Sequence, residues 1–299
     1  MTARRPDPGR RAAFPATPSR TAGTTAGAPA YDRRMAPDDG IAIVVLTHNR
    51  AHLVSKCVEN VLLRTSDATR EIVIWDNAST DETQAYLATI DDPRVRVIRS
   101  EKNIGQSAYA RAFRETSSPF MIELDDDITN APAGWDQVMR DAFVQLPDVG
   151  FLSADLEDDP NDVASRYRHH IRPHEYTPTH EHGINLLRGP VGGGCAMTSR
   201  ELNQRVGGFQ ENEKEVFFLE DHAYIQDLEA IGFTSAVLAD LRVHHTGGPY
   251  YSSTPKAKAD YWRKYWAKRR RREATKRVLV RVPFVRRLNA RYGWFVAPS

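Results

Sequence analysis

IAIVVLTHNRAHLVSKCVENVLLR, residues 41–64, is the stretch on which the fold turns. Its first seven residues form a continuous apolar run, suited to a strand buried on both faces. After the turn, Leu53, Val54, Cys57, Val58, Val61 and Leu62 recur at helical spacing, so the whole reads as one β–α unit. Working outward, EIVIWD (71–76) and STDETQAYLATI (79–90) repeat the arrangement, with Ser79 as the expected N-cap and Glu82 as its capping-box partner. VRVI (95–98) leads to a helix predicted across 104–116, and PFMIELD (119–125) is the next strand. Parallel strands need right-handed crossovers, so this alternation implies an α/β fold with a Rossmann-like, mostly parallel sheet flanked by helices.

After GFLSAD (150–155) the chain becomes a loop rich in Asp, His, Arg and Pro to about residue 183, and its histidines 169, 170, 174, 180 and 182 are read as loop residues. GPVGGGCAMTSRELNQRVGGF (189–209), a helix over 220–231 and a late strand ADLRVHH (239–245) complete the body. Residues 1–40, rich in Pro, Ala, Thr, Gly and Arg without periodicity, are expected to be a disordered tail. Residues 255–299 are expected to form a basic helical extension. The body, 41–254, divides into a nucleotide-binding half (41–130) and a half shaping the other substrate's pocket (131–254).

The chain has 299 residues and a formal net charge of +2, which hides an asymmetry. Basic residues exceed acidic ones by three in 1–40 and by thirteen in 255–299, leaving 41–254 at about −14. An acidic body repels phosphate unless a cation inverts the local field, which favours metal-assisted anion binding and argues against a nucleic-acid partner. Cys57 and Cys195 show no paired spacing, so neither a zinc site nor a disulfide framework is indicated, and a reducing cytosol fits best.

Polar groups gather at strand ends. Asp125 and Asp127, two apart after an apolar strand, face the same way if the chain is still extended, and suit Mg²⁺ or Mn²⁺. Asp126 between them is expected, with Asp125, to contact the nucleotide ligand. Asp76 and Asn77 end the second strand, where a carboxylate can accept from a base N–H or make an Asx-turn. Thr47, Asn49 and Arg50 can contact base or phosphate, with helix capping the alternative for Asn49. Asn103 and Gly105 open the third helix, whose N–H groups suit phosphate, and Arg111 lies two turns along. Glu220 and Asp221 begin a helix, where the dipole holds a carboxylate ionised and able to take a proton from an acceptor hydroxyl. Gly193 and Gly194 permit close backbone approach and, with Glu220, are expected at the acceptor; His244 or His245 can add a nitrogen ligand to the cation.

With these residues in view, the chain resembles family 2 glycosyltransferases of the GT-A fold over roughly 41–248. IAIVVLTHNR resembles the family's opening strand and T-x-N-R turn, implying nucleotide contacts by Thr47, Asn49 and Arg50. EIVIWDNASTDET implies base binding by Asp76, NIGQSAYARAF implies diphosphate contacts by Asn103, Gly105 and Arg111, and FMIELDDDI implies a DxD metal motif at Asp125 and Asp127. LEDHAYIQDLEAIGF resembles the acceptor-side block and implies Asp221 as general base, and His244 or His245 corresponds to a late metal-binding histidine. The sequence departs from the family's pattern at Leu46, where Pro is frequent, and at Ala223, where a second Asp is frequent.

The resemblance implies inverting transfer from a nucleotide-diphosphate sugar to a carbohydrate, lipid-linked or small-molecule acceptor. Two alternatives are an aspartyl phosphatase of the haloacid dehalogenase type, through Asp125-x-Asp127-x-Thr129, and a non-catalytic nucleotide-sugar or membrane-surface adaptor. Tyr261, Trp262, Tyr265 and Trp266 beside the basic run 268–272 suit either a peripheral membrane contact or packing on the acidic body. No apolar run spans a bilayer, so a cytoplasmic protein, peripheral at most, is expected.

Overall fold

The computed structural model describes residues 40–158, 173–212, 217 and 219–247, with residues 263, 264, 267, 271 and 275 beyond them. The N-terminal tail, His169 and His170 and most of the C-terminal extension lie outside the described residues; the five described positions after 250 are helical.

Four strands and three helices alternate first: β1 (Ile41–Thr47), α1 (Ala51–Arg64), β2 (Thr69–Asp76), α2 (Thr83–Leu87), β3 (Val95–Arg99), α3 (Ser107–Arg114) and β4 (Phe120–Asp125). There follow β5 (Ile128–Asn130), α4 (Trp135–Gln145), β6 (Val149–Asp158), β7 (Thr177–Glu181), β8 (Ile184–Arg188), β9 (Cys195–Ser199), α5 (Arg200–Arg205), α6 (Glu220–Ala230) and β10 (Thr234–His245). The ten strands form one sheet in the order β3-β2-β1-β4-β9-β6-β10-β8-β7, with β5 pairing β10.

Pairing among β3, β2, β1 and β4 is parallel, as their helical crossovers require. Register puts Thr47 beside Asp76, and Leu46 beside both Trp75 and Asp125, so the first two motifs and the acidic triplet emerge at one sheet edge. Beyond β4 the sheet is mixed. Among the described residues no helix long enough for a crossover lies between β6 and β9, and β9 runs antiparallel to both β4 and β6. β6 and β10 are again parallel.

Three local expectations differ from the structure. The second helix starts at Thr83, because Ser79 Oγ accepts from the Asn49 N–H and Asp81 accepts from the Thr83 N–H instead. The third starts at Ser107, since Gly105 sits at φ +58° outside helical geometry. Part of the stretch read as loop is the β7–β8 hairpin, turned by His182 (φ 52°) and Gly183 (φ 82°), the left-handed pair that a two-residue hairpin connection needs. β7 (TPTHE) has no polar–apolar alternation, and β8 (INLLR) buries the adjacent Leu186 and Leu187, so neither strand shows the period-2 pattern by which strands are recognised.

Ile41, Ile43, Val45, Ile72, Ile74, Met121 and Ile122 are buried in the central strands; Val54, Phe113, Trp135 and Phe143 cover them from the helices. Ile43→Ala on β1, flanked by β2 and β4, is expected to lose about 2–5 kcal/mol of unfolding free energy through lost transfer energy and a residual cavity. Urea denaturation checks this; a loss under about 1 kcal/mol contradicts the position's placement in the central core.

Candidate active site

The acidic triplet does not stay extended. β4 ends at Asp125, residues 126–127 turn, and β5 departs to pair antiparallel with β10, setting Ile128 opposite His245. That pairing swings His245 over the turn. Asp125, Asp127 and His245 each offer a ligand atom, all within 4.8 Å of one another. His245 Nε2 is 3.2 Å from Asp127 Oδ1 and 4.0 Å from Asp125 Oδ2. His245 is thus the histidine at the cluster; His244 faces Asn130 in register and is not among those donors.

Asp126 has another task. Its carboxylate accepts from Thr47 Oγ1 at 2.7 Å and pairs with the Arg50 guanidinium, which also approaches Asp127 Oδ2 at 3.4 Å. Burial and Asp127 push the Asp126 carboxyl up to about 6, against the opposing pull of Arg50 and Thr47. Thr47 and Arg50 therefore brace the turn in this structure. Asn49, at φ 52°, accepts from the Thr80 N–H at 2.6 Å and does not cap α1, whose N-cap is Arg50.

Asp76 is buried and accepts from the Ser79 N–H at 2.8 Å, the Asx-type arrangement, while Arg99 Nε lies 3.8 Å from its other oxygen. Asn77 Oδ1 accepts from the Ile104 N–H and Asn103 Oδ1 from the Gly105 N–H, both at 2.8 Å, so these amides shape the loop before α3. Arg111 is in the last turn of α3, where it and Arg114 clamp Glu211 at 2.8 and 2.7 Å. It is not brought to the Asp125 cluster.

The glycine run links the end of β4 to the start of α6. The Gly193 N–H donates to Asp221 Oδ2 at 2.8 Å, and one residue on the Gly194 carbonyl accepts from the Asp125 N–H at 2.8 Å. Asp221 Oδ1 also accepts from the His222 N–H, so both its oxygens are held in the first turn of α6. Glu220 is buried; its environment, Asp221 and Glu123 push its carboxyl well above the ordinary range.

Residues 42–207 match the Glycosyl transferase family 2 model. The chain belongs to that family. An uncharacterized protein y4gI of Sinorhizobium fredii is 24% identical over 250 residues, 76% of this chain and 27% of that protein. The succinoglycan biosynthesis protein ExoO of Rhizobium meliloti is 33% identical over 105 residues, 35% of this chain and 29% of that protein, so this family 2 chain spans under a third of either relative's length. Two solved structures share its fold. The mannosyltransferase PcManGT from Pyrobaculum calidifontis, in complex with GDP-Man and Mn²⁺, has a TM-score of 0.50 at 20% identity, covering 71% of this chain and 61% of its own. S. aureus TarS 1-349 in complex with UDP-GlcNAc has a TM-score of 0.54 at 14% identity, covering 72% and 61%. Membership of family 2 removes the basis for the aspartyl-phosphatase alternative.

Two carboxylates and an imidazole fit a hard divalent cation, provided the imidazole is neutral. Two residues beside this candidate site were missed in the sequence. Glu123 interrupts an apolar strand, a signal that was available, and is 2% exposed with Oε2 unpartnered. Burial, then Asp221 and Asp125, push its carboxyl well up. Tyr109 left no signal, because aromatic residues at helical spacing read as core.

A Cβ at Gly193 would collide with the carboxylate of Glu123, which burial keeps from swinging into solvent. Gly193→Ala is expected to lower the melting temperature clearly, and Glu123→Ala to relieve much of that loss; equal losses in both backgrounds would remove the clash as the cause. Glu220 supplies a pH test. Its folded carboxyl titrates above the usual 4.5, so the folded chain binds the extra proton and loses stability as pH rises from about 4.5 through the folded pKa. In EDTA, the urea midpoint of Glu220→Gln is expected to fall less than wild type's between about pH 5 and pH 8. Parallel curves contradict the assignment.

Proposed function

We propose that the chain transfers a sugar, with inversion, from a nucleotide-diphosphate donor to an acceptor hydroxyl. The observation carrying this reading is the convergence of Asp125, Asp127 and His245 at the sheet edge, joined through the glycine run to Asp221. The GDP-Man and UDP-GlcNAc bound by proteins of the same fold support the donor class, and the Mn²⁺ bound with GDP-Man by PcManGT supports a divalent cation, Mn²⁺ or the similarly hard Mg²⁺.

Asp125, Asp127 and His245 would hold the cation, which when bound supplies positive charge against the leaving diphosphate. Thr47, Arg50 and Asp126 keep the carboxylate turn rigid, while Asp76, Asn77, Asn103 and Gly105 form the adjoining edge on which the nucleotide lies. Arg111 has a place in this reading only if it leaves Glu211.

Asp221 takes the proton from the acceptor hydroxyl. The freed oxygen pair forms the bond to the anomeric carbon from the face opposite the diphosphate, whose C–O bond breaks with its electrons leaving on the phosphate oxygen. Direct attack needs no sugar–enzyme intermediate. The backbone N–H groups of Gly193 and His222 hold Asp221 in place, and Glu220, Gly193 and Gly194 line the acceptor side.

Polysaccharide biosynthesis, by the likeness to ExoO over part of the chain, is the favoured setting, with a carbohydrate or lipid-linked acceptor ahead of a small molecule. No helix among the described residues is long and apolar enough to cross a membrane. In a cytoplasmic placement, the basic residues 255–299 would supply the attraction to an anionic membrane surface that the acidic body lacks.

Thermal-shift screening of UDP-, GDP- and dTDP-sugars with and without Mn²⁺ is expected to find one base whose stabilisation needs the cation. Asp221→Asn should keep that stabilisation while turnover falls about 10²–10⁴-fold. Unchanged turnover sinks the base assignment; donor binding and turnover indifferent to EDTA sink the role of the cation.

A further inference from the structure

Tyr109 projects from the first turn of α3 into the core, yet its hydroxyl reaches the acidic turn. Its oxygen is 3.1 Å from Asp125 Oδ1 and 3.2 Å from the Leu124 carbonyl, so its one proton is shared between two acceptors of β4. The tyrosine is 2% exposed, which keeps water from competing for either. Asp125 Oδ1 is thereby engaged from behind, and Oδ2 is the oxygen turned toward His245, 4.0 Å away. The Asp125 N–H donates to the Gly194 carbonyl, fixing the backbone from the other side.

The ring continues this linkage. Tyr109 stacks on Phe113 (centroids 6.2 Å, 26°), Phe113 on Phe209 (5.1 Å, 27°), and Phe209 on Tyr224 (4.1 Å, 4°). Tyr224 is in α6, one turn after Glu220 and Asp221, and its hydroxyl meets Thr198 Oγ1 at 3.0 Å. All four rings are buried. A packed column of rings thus runs from the carboxylate of Asp125 to the helix bearing Asp221, and close-packed rings transmit displacement rather than absorb it.

We propose that Tyr109 is a positioning residue for the cation: its hydroxyl selects which oxygen of Asp125 faces the metal, and its ring ties that carboxylate to the helix carrying Asp221. The proposal rests on the cation reading above and adds to it a residue that touches neither donor nor acceptor. Outer hydrogen bonds to a ligating carboxylate typically change metal affinity about 10–100-fold when lost. Removing the hydroxyl while keeping the ring isolates this effect from packing.

The test is Mn²⁺ binding to full-length protein without any sugar donor, read by electron paramagnetic resonance of free Mn²⁺. Tyr109→Phe is expected to weaken binding about tenfold or more, with its melting temperature and near-ultraviolet circular dichroism close to wild type. In the Asp125→Asn background the same change should have little further effect, because the hydroxyl acts through that carboxylate. Unchanged Mn²⁺ affinity in Tyr109→Phe, or an equal loss in both backgrounds, overturns the proposal and leaves the cation site standing. A wild-type protein that binds no Mn²⁺ overturns the cation reading itself, and this proposal with it. Should Tyr109→Phe fold poorly, Phe209→Leu gives a second readout: it should move Asp221-dependent turnover while sparing Mn²⁺ affinity, and an effect on neither contradicts the column.

Discussion

Pairing β5 with β10 involves few residues, yet it brings Asp127 and His245 to the carboxylate that ends β4, completing the set of three candidate metal donors. β5 is three residues long and would have no stability alone. It persists because Ile128 is buried and because the Thr246 N–H donates to the Asp127 carbonyl at 2.9 Å, extending the pairing into the acidic turn. Once His245 lies opposite Ile128, its imidazole must overlie Asp127, and the turn is closed between two strands nearly 120 residues apart in the chain.

A second constraint is electrostatic. Glu123, Asp125, Asp126, Asp127, Glu220 and Asp221 crowd one region of a body already short of positive charge. Arg50 pairs with Asp126 and approaches Asp127, a single cation against three carboxylates in these contacts. Burial then raises the carboxyls of Glu123, Asp126 and Glu220, the response expected where like charges share a site of low dielectric. A divalent cation relieves the same strain by adding charge rather than a proton. The acidity of the body is thus an electrostatic condition that would favour a bound cation at this turn.

The parallel half of the sheet was legible because each strand is a short apolar run followed by a helix of 3.6-residue period, and local spacing encodes both. Asp125, Asp127 and Asp221 were legible for a related reason: a carboxylate just after an apolar segment marks a strand or helix end, and such ends line one sheet edge. The β7–β8 hairpin was not, since β7 lacks any alternation and the buried Leu186 and Leu187 of β8 are adjacent rather than alternate. Nor was the bracing role of Asp126, which depends on Arg50 and Thr47 lying across from it in space, 76 and 79 residues away.

What the amino-acid order determined by itself is the sequence of elements and which residue types stand at their ends, because both follow from interactions within a few residues. Only the tertiary structure decided between His244 and His245, gave Asn77 and Asn103 to loop shaping, turned Arg111 toward Glu211, and set Tyr109 behind Asp125. Each of those outcomes depends on strand register or on helix placement across the sheet, and a one-residue shift in register turns a side chain to the opposite face.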